Sequence, residues 1–351
     1  LTMGSVTQTF EKEFAGMVGS RHAIAVNNAT AALHLACLAC GIGPADEVIV
    51  PSLTFVATAN AVRYTGAIPV FADVVSEQDL TISVKSIESC LTEKTRAIIV
   101  MHYGGYACDM PAIMAFANQH GLAVIEDAAH SAGATLEDRG LGSWGQVGCY
   151  SFFSNKNMTT GEGGMLVTDD DGIADKLRNL RSHGMTSMTW DRHKGHAWSY
   201  DVTALGYNYR IDEIHSAIGR VQLEKLARNN ARRAQAVAQY NELLLELAPS
   251  ITVPFQSHRG LSSYHIFPIL LPKGSDRQAF MESMKAERIQ TSIHYPPIHK
   301  FSAYAGINQS MRAPLLLTEE IVGREVTLPL YPGLSENDVL TVVQAVQKAM
   351  N

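Results

Sequence analysis

Short apolar runs alternate with stretches of helical period through the first half of the chain. Ala-Ile-Ala-Val (23–26), Glu-Val-Ile-Val (47–50), Ile-Pro-Val-Phe (68–71), Ala-Ile-Ile-Val (97–100) and Leu-Ala-Val-Ile (122–125), then 149–153 and 165–168, read as strands. Helices are predicted between them from Thr30, through Ala57–Tyr64, near 83–91 and over 111–120. Continuous apolar strands separated by helices predict a mainly parallel sheet covered on both faces. Helical periodicity then dominates 171–181 and 210–247, the latter long enough to connect two domains. Beyond residue 250 the pattern turns to α+β: 263–271, a helix near 276–287, 290–295, 325–331, and a last helix from Glu336. The predicted class is α/β, with a large domain over 1–245, its mainly parallel sheet flanked by helices, and a smaller α+β domain over 246–351.

Composition narrows the partners. Hydrophobic residues make up 46% of the 351 and charged residues 18%, an ordinary folded chain too long for one small core. Lys+Arg of 28 against Asp+Glu of 34 gives a net charge of −6, which argues against a general nucleic-acid or anionic-membrane binder. Any anionic ligand must then be met by local groups. No apolar run reaches membrane-spanning length, and Glu11, Lys12 and Glu13 stand where a signal peptide needs an apolar segment, so a cytoplasmic location is expected. Five cysteines suit free thiols, and Cys37 and Cys40 share a face of an Ala-rich helix, which marks them as core. Residues 182–209 lack a clear period and mix basic with aromatic residues, as a contact loop for a ligand or partner subunit would. His193 and His196 lie there with no carboxylate or thiol cluster at ligand spacing around them, so no metal is expected.

Three stretches carry candidate chemistry. A strand ends at Val26, and Asn28, Ala29 and Thr30 open a helix, which gathers free N–H groups, a hydroxyl and the positive end of a helix dipole at one point. These suit a phosphate, although an N-cap with only a structural task fits them equally. Asp127 follows a buried strand in Val-Ile-Glu-Asp-Ala-Ala-His (124–130), at the sheet edge where α/β proteins place ligands; a buried carboxylate there needs a cationic partner, and a second N-cap is the plain alternative. His130 would share a helical face with it. Lys156 lies between two apolar runs, with Ser151 before it and Gly-Glu-Gly-Gly (161–164) after it. Desolvation lowers a lysine's pKa and makes an amine nucleophile of it. A phosphate seat, a carboxylate able to hold a pyridinium nitrogen and a lysine able to form a Schiff base are together what pyridoxal 5′-phosphate requires. The glycine and nucleophile motifs of rival cofactors and hydrolases are absent.

At these residues the chain resembles the DegT/DnrJ/EryC1/StrS sugar aminotransferases, of fold type I. The resemblance runs through Asn-Ala-Thr-Ala-Ala-Leu-His-Leu-Ala (28–36), Pro-Ser-Leu-Thr-Phe (51–55), Glu-Asp-Ala-Ala-His (126–130), Ser-Phe-Phe-Ser-Asn-Lys (151–156), Gly-Glu-Gly-Gly (161–164), Gly-Tyr-Asn-Tyr-Arg (206–210) and Ser-Ile-His-Tyr-Pro-Pro-Ile-His (292–299). It implies that Lys156 forms the internal aldimine and moves the proton between Cα and C4′, while Asp127 keeps the ring nitrogen protonated. Phe55 would stack on the ring. Asn28, Ala29, Thr30 and Ser151 would hold the phosphate, joined by Asn208 from the other subunit of a homodimer. His130 stands where many relatives have a glutamine that touches the phenolic oxygen. Glu162, His183, Arg210, His294 and Tyr295 are the residues assigned to substrate. The implied reaction transfers an amino group, from glutamate, to a keto group on a nucleotide-linked deoxysugar. The basic and aromatic residues Arg181, His183, Arg192, Lys194, Trp198 and Arg210 are our own candidates for meeting its diphosphate. An aminocyclitol acceptor fits the cofactor residues equally, and a non-catalytic cofactor-bearing regulator is the reading from another class. Lys156 argues against the related dehydratases, which carry histidine at that position.

Overall fold

A computed structural model describes residues 1–186, 200–307 and 310–350. Its centre is a seven-stranded sheet in the order β1-β11-β10-β7-β6-β2-β3. The strands are β1 (His22–Val26), β2 (Glu47–Pro51), β3 (Ile68–Ala72), β6 (Thr95–Met101), β7 (Ala123–Asp127), β10 (Val147–Ser151) and β11 (Gly164–Thr168). Two hairpins lie outside it, β4 (Val74–Ser76) with β5 (Asp79–Ile82) and β8 (Thr135–Leu136) with β9 (Arg139–Gly140). β11 alone runs against the direction of the other six, antiparallel to β1 on one side and to β10 on the other. The parallel strands are almost wholly buried, which is why their sequences read as continuous apolar runs.

Helices cover both faces, and their starts follow from local chemistry. Asn28, Asp109, Asp170 and Asp212 each accept an N–H two or three residues into the helix that follows, a cap worth roughly 1 kcal/mol apiece. Gly121 ends the helix Met110–His120 at φ 64°, a conformation that any side chain would strain. The helix Glu213–Leu247 then runs from one core to another. Its residues Ala236, Val237, Tyr240 and Leu244 pack with β12 (Phe267–Leu270), β13 (Glu325–Leu328) and the helices Arg277–Ala286 and Glu336–Met350. Arg233, buried on the same helix, donates to the carbonyls of His265 and Leu330 and ties the two parts together.

Three expected strands came out shorter, and that over 325–331 ends at Leu328, before Pro329. Within 263–271 only Phe267–Leu270 is a strand, because Tyr264 takes a positive φ of 50°. Residues 290–295 form only a single bridge, Ser292 to Thr327, and Pro296 and Pro297 have no N–H with which to continue a ladder.

Candidate active site

Strand direction gathers the candidate residues at one edge. Asp127, Ser151 and the turn after Val26 close β7, β10 and β1 at their carboxyl ends, and antiparallel β11 brings its amino end, Gly164, to the same edge. Adjacent residues of a strand face opposite ways, so the neighbouring carboxylates Glu126 and Asp127 separate. Glu126 turns into the protein, where it accepts the N–H groups of Gly142 and Gly145 at 2.7 Å each and His102 Nε2 at 2.9 Å. That carboxylate holds the 142–145 turn. Asp127, 4% exposed, faces the site. Its Oδ2 accepts the Thr58 hydroxyl at 2.7 Å and its Oδ1 the N–H of Ala129 at 3.2 Å. Burial raises its pKa; Thr58, Ala129, Lys156 and His102 pull the other way.

Lys156 stands in the connection from β10 to β11, a loop closed by hydrogen bonds from Phe152 to Gly163 and from Thr160 to Phe152. The next residue anchors it. Asn157 donates to Asn230 Oδ1 at 2.8 Å and to the Ser263 carbonyl at 2.6 Å, and it accepts from His265 Nδ1 at 2.9 Å. Burial lowers the Lys156 pKa to about 8 against the opposing charge of Asp127, so a substantial share of the amine is uncharged at neutral to mildly alkaline pH.

His130 has a defined proton. Its Nδ1 lies 3.2 Å from the N–H of Gly104 and must accept from it, which leaves the hydrogen of the neutral ring on Nε2, 3.0 Å from the Tyr295 hydroxyl. Burial, Lys156 and the rings of His265 and His294 hold its pKa well below the usual histidine range. His265 packs on it at 4.2 Å between centroids. Tyr295 in turn faces Phe55 at 5.9 Å and His294 at 4.8 Å. Lys156, Asp127, His130, Phe55, His294 and Tyr295 therefore belong to one cluster.

The anion seat lies beside it. Asn28 Oδ1 caps the helix Ala29–Ala39 by accepting the Ala31 N–H at 2.8 Å. The N–H groups of Ala29 and Thr30 have no acceptor among the described residues. A Cβ on Gly164 would stand 2.6 Å from the Asn28 carbonyl carbon, so the last glycine of Gly-Glu-Gly-Gly is what lets this helix end sit against β11. Gly164 is also the register partner of Ser151. Open N–H groups at a helix start, a nearby serine, a lysine of lowered pKa and a carboxylate awaiting a cation fit pyridoxal 5′-phosphate in charge and in donor set.

Other expected residues sit elsewhere. Glu162 is exposed at the tip of the lysine loop. Asn208 and Arg210 lie on the outer side of the edge strand, bridged to Ser182 and Val26, with exposed His183 beside them. Arg181 corrects the expectation of a diphosphate ligand: it is buried, and its guanidinium donates to Glu11 at 2.6 Å and to the Ala25 carbonyl at 2.7 Å, clamping β1. Arg192, Lys194 and Trp198, with His193 and His196, lie outside the described residues. No group of metal-ligating side chains occurs among the described residues.

The family model of the DegT/DnrJ/EryC1/StrS aminotransferases matches residues 1–347. The chain belongs to this family. It is 40% identical to the spore coat polysaccharide biosynthesis protein SpsC of Bacillus subtilis over 99% of this chain and 90% of the relative. Among solved structures it is similar to PseC of Helicobacter pylori, an aminotransferase involved in pseudoaminic acid biosynthesis, with a TM-score of 0.91, 28% identity, and 100% and 92% of the two chains covered. It is similar also to DesI in the presence of its TDP-sugar product, with a TM-score of 0.89, 31% identity, and 100% and 86% covered. As a DegT/DnrJ/EryC1/StrS member the protein is a pyridoxal-phosphate-dependent aminotransferase of fold type I.

Within this family member the sequence reading missed Thr58, Asn157 and His265. Thr58 carried only a helical period as its signal, and the other two lie far from Asp127 and Lys156 in the chain or carry no motif. Four further arginines have settings of their own. Arg259 pairs with Asp109, Arg312 with Glu47, and Arg324 with Glu77 and Glu320. Arg288 is exposed and lines a cavity of about 660 Å³ with Asn155, His265, His294 and Tyr331.

Proposed function

We propose that this aminotransferase moves an amino group from an amino acid, L-glutamate, to the keto group of a nucleotide-linked deoxysugar. The observation that carries the reading is the pairing of a half-buried lysine of lowered pKa with Asp127 beside an open helix start, in a chain similar to proteins of sugar biosynthesis. Lys156 would hold the cofactor covalently, Asp127 its ring nitrogen, Phe55 one ring face, and Asn28, Ala29, Thr30 and Ser151 its phosphate. Pyridoxal 5′-phosphate, when bound, supplies an electrophilic aldehyde carbon and an electron-withdrawing ring. Lys156, near a pKa of 8, can both take up and return a proton close to neutral pH. His130 presents Nε2–H as a fixed donor, the role an amide N–H would fill. Thr58 and Ala129 keep the Asp127 carboxylate aimed and favour its ionised form against burial.

A homodimer completes the site in this reading, with Asn208 reaching the partner's phosphate seat. Support comes from an apolar stripe that the chain leaves uncovered: Ile214, Ile218 and Val221, spaced along one helix face, and Leu205, 86% exposed, beside them in sequence. No helix among the described residues is long and apolar enough to cross a membrane, in keeping with the cytoplasmic location we propose.

The test uses cofactor-loaded protein. L-Glutamate is expected to shift the visible absorbance band toward the amine form of the cofactor, and UDP or dTDP to bind saturably. Lys156→Ala is expected to abolish both the band and turnover. An unchanged spectrum with every amino acid removes the donor half, and absent nucleotide binding moves the acceptor to a keto-cyclitol.

A further inference from the structure

Glu325 on β13 reaches the cluster by a route that cofactor binding does not explain. It is 1% exposed, and its two oxygens are occupied by neutral donors. Oε2 accepts the backbone N–H of His294 at 2.9 Å, and Oε1 accepts the Thr327 hydroxyl at 2.7 Å. Thr327 Oγ1 also lies 2.9 Å from His294 Nδ1. Because the hydroxyl gives its one hydrogen to the carboxylate, its oxygen can only accept from His294. Nδ1 then carries the ring hydrogen and Nε2 keeps a lone pair. Among the described residues Nε2 has no partner, and His294 lines the cavity shared with Asn155, His265 and Arg288.

We propose that Glu325, through Thr327, sets the tautomer of His294 and so makes Nε2 a hydrogen-bond acceptor for a hydroxyl-bearing substrate in that cavity. The ligand class rests on the sugar reading above; the proton arrangement does not. Protonation of Glu325 reverses the relay. Oε2 is held by the backbone N–H, so the proton arrives on Oε1, which donates to Thr327. Thr327 turns its own hydrogen to Nδ1, and the ring hydrogen transfers through solvent from Nδ1 to Nε2. One proton is gained, at the carboxyl, and the ring stays neutral throughout.

The surroundings place that change in a working range. Tyr103, Tyr295 and His294 face Glu325 from the site side and Thr327 from its own strand; Arg277, on the helix Arg277–Ala286, donates to the Glu325 carbonyl. Burial raises the Glu325 pKa to about 7 against the hydrogen bonds from Thr327 and His294 and the charge of Arg277. Burial and the charge of Lys156 hold His294 down at about 4, so over the same span its tautomer changes and its charge does not. Glu325 is thus a positioning residue that acts through His294.

The test is long-range proton–nitrogen NMR on holoenzyme labelled at histidine nitrogen. Well above the Glu325 pKa the wild type is expected to show His294 as Nδ1–H. Glu325→Gln is expected to show Nε2–H at the same pH, because its amide oxygen takes the backbone N–H and its NH₂ donates to Thr327. Thr327→Ser should keep Nδ1–H, and Thr327→Val should lose the preference. The KM for the sugar acceptor is expected to rise roughly five- to tenfold in Glu325→Gln, the worth of one hydrogen bond, with kcat and the cofactor spectrum little changed. Nε2–H in the wild type at high pH, or no change in Glu325→Gln, overturns the relay. An inverted tautomer with an unmoved KM overturns the substrate half. Absence of turnover with any nucleotide sugar, in wild type and variants alike, faults the functional reading and leaves the tautomer result standing.

Discussion

Thr58→Val tests whether Asp127 is held ionised by the protein before a cofactor arrives. Thr58 gives its hydroxyl hydrogen to Asp127 Oδ2 at 2.7 Å and accepts from Thr54 at 2.9 Å, and all three side chains are buried. Valine keeps the shape and removes both bonds. A hydrogen bond to a charged group is worth about 1.5–3 kcal/mol, and the Thr54 hydroxyl is left without its acceptor as well. Losing that bond removes a donor to the ionised form and so raises the Asp127 pKa further.

The pH dependence gives the prediction its sign. Asp127 already has a raised folded pKa, so the stability tied to it is fully present below the unfolded carboxylate value of about 3.9 and is lost as pH rises through the folded value. Losing the bond to Asp127 weakens the ionised form only, and the stranded Thr54 hydroxyl adds a part that does not vary with pH, so the loss is expected to be largest at mildly alkaline pH, with the pH-dependent part near ~1.5–3 kcal/mol. It should shrink as acidification protonates the carboxyl. Urea midpoints of the cofactor-free variant and wild type, at matched m-values across this range, measure it. A difference below about 0.5 kcal/mol at alkaline pH, or one that does not change with pH, refutes the assignment of Thr58 as the carboxylate's main support.

Arg181→Ala should cost about 3–5 kcal/mol of stability, since it strands Glu11 and the Ala25 carbonyl, and the expected sign is a lowered thermal midpoint with no change in the KM of whatever folded enzyme remains. Arg288→Ala should leave stability within about 0.5 kcal/mol and raise the KM for an anionic substrate, because its exposed guanidinium lines the cavity beside His294; equal KM values for donor and acceptor in variant and wild type would rule that out. Cofactor capture by the cofactor-free protein should quicken with pH and level off above about 8, as Lys156 loses its proton; a rate flat across neutral pH speaks against the lowered pKa.

The sheet was legible because burial on both faces leaves β1, β2, β3, β6 and β7 as uninterrupted apolar runs, and the helix after β1 because Asn28 is a cap of the usual chemistry. Lys156, Asp127 and Thr30 were legible for a different reason: each ends or follows a strand on the edge where parallel topology concentrates ligands. What escaped were the groups that make those residues work, and the reason is sequence distance. Thr58 meets Asp127 across 69 positions, and His265 meets Asn157 across 108. A threonine inside a helix or a histidine in a loop carries no local signal of such a partner.

Arg181 shows the opposite failure, in which a residue type suggests a task that its surroundings have already filled. An arginine at the edge of a loop rich in basic and aromatic residues looks like an anion ligand until burial is known. The fold instead uses one end of the guanidinium to hold β1, through Glu11 and the Ala25 carbonyl, because an edge strand must be held from its open side. Glu126 and Asp127 divide in a similar way. Two adjacent carboxylates look interchangeable in the sequence, yet the strand's alternation sends one toward the 142–145 turn, where neutral N–H groups absorb its charge, and the other toward Lys156. Only the carboxylate whose donors leave part of it unmet can pair with an incoming cation. Thr58 and Ala129 leave Asp127 in that state, and Glu126, with three donors, is not.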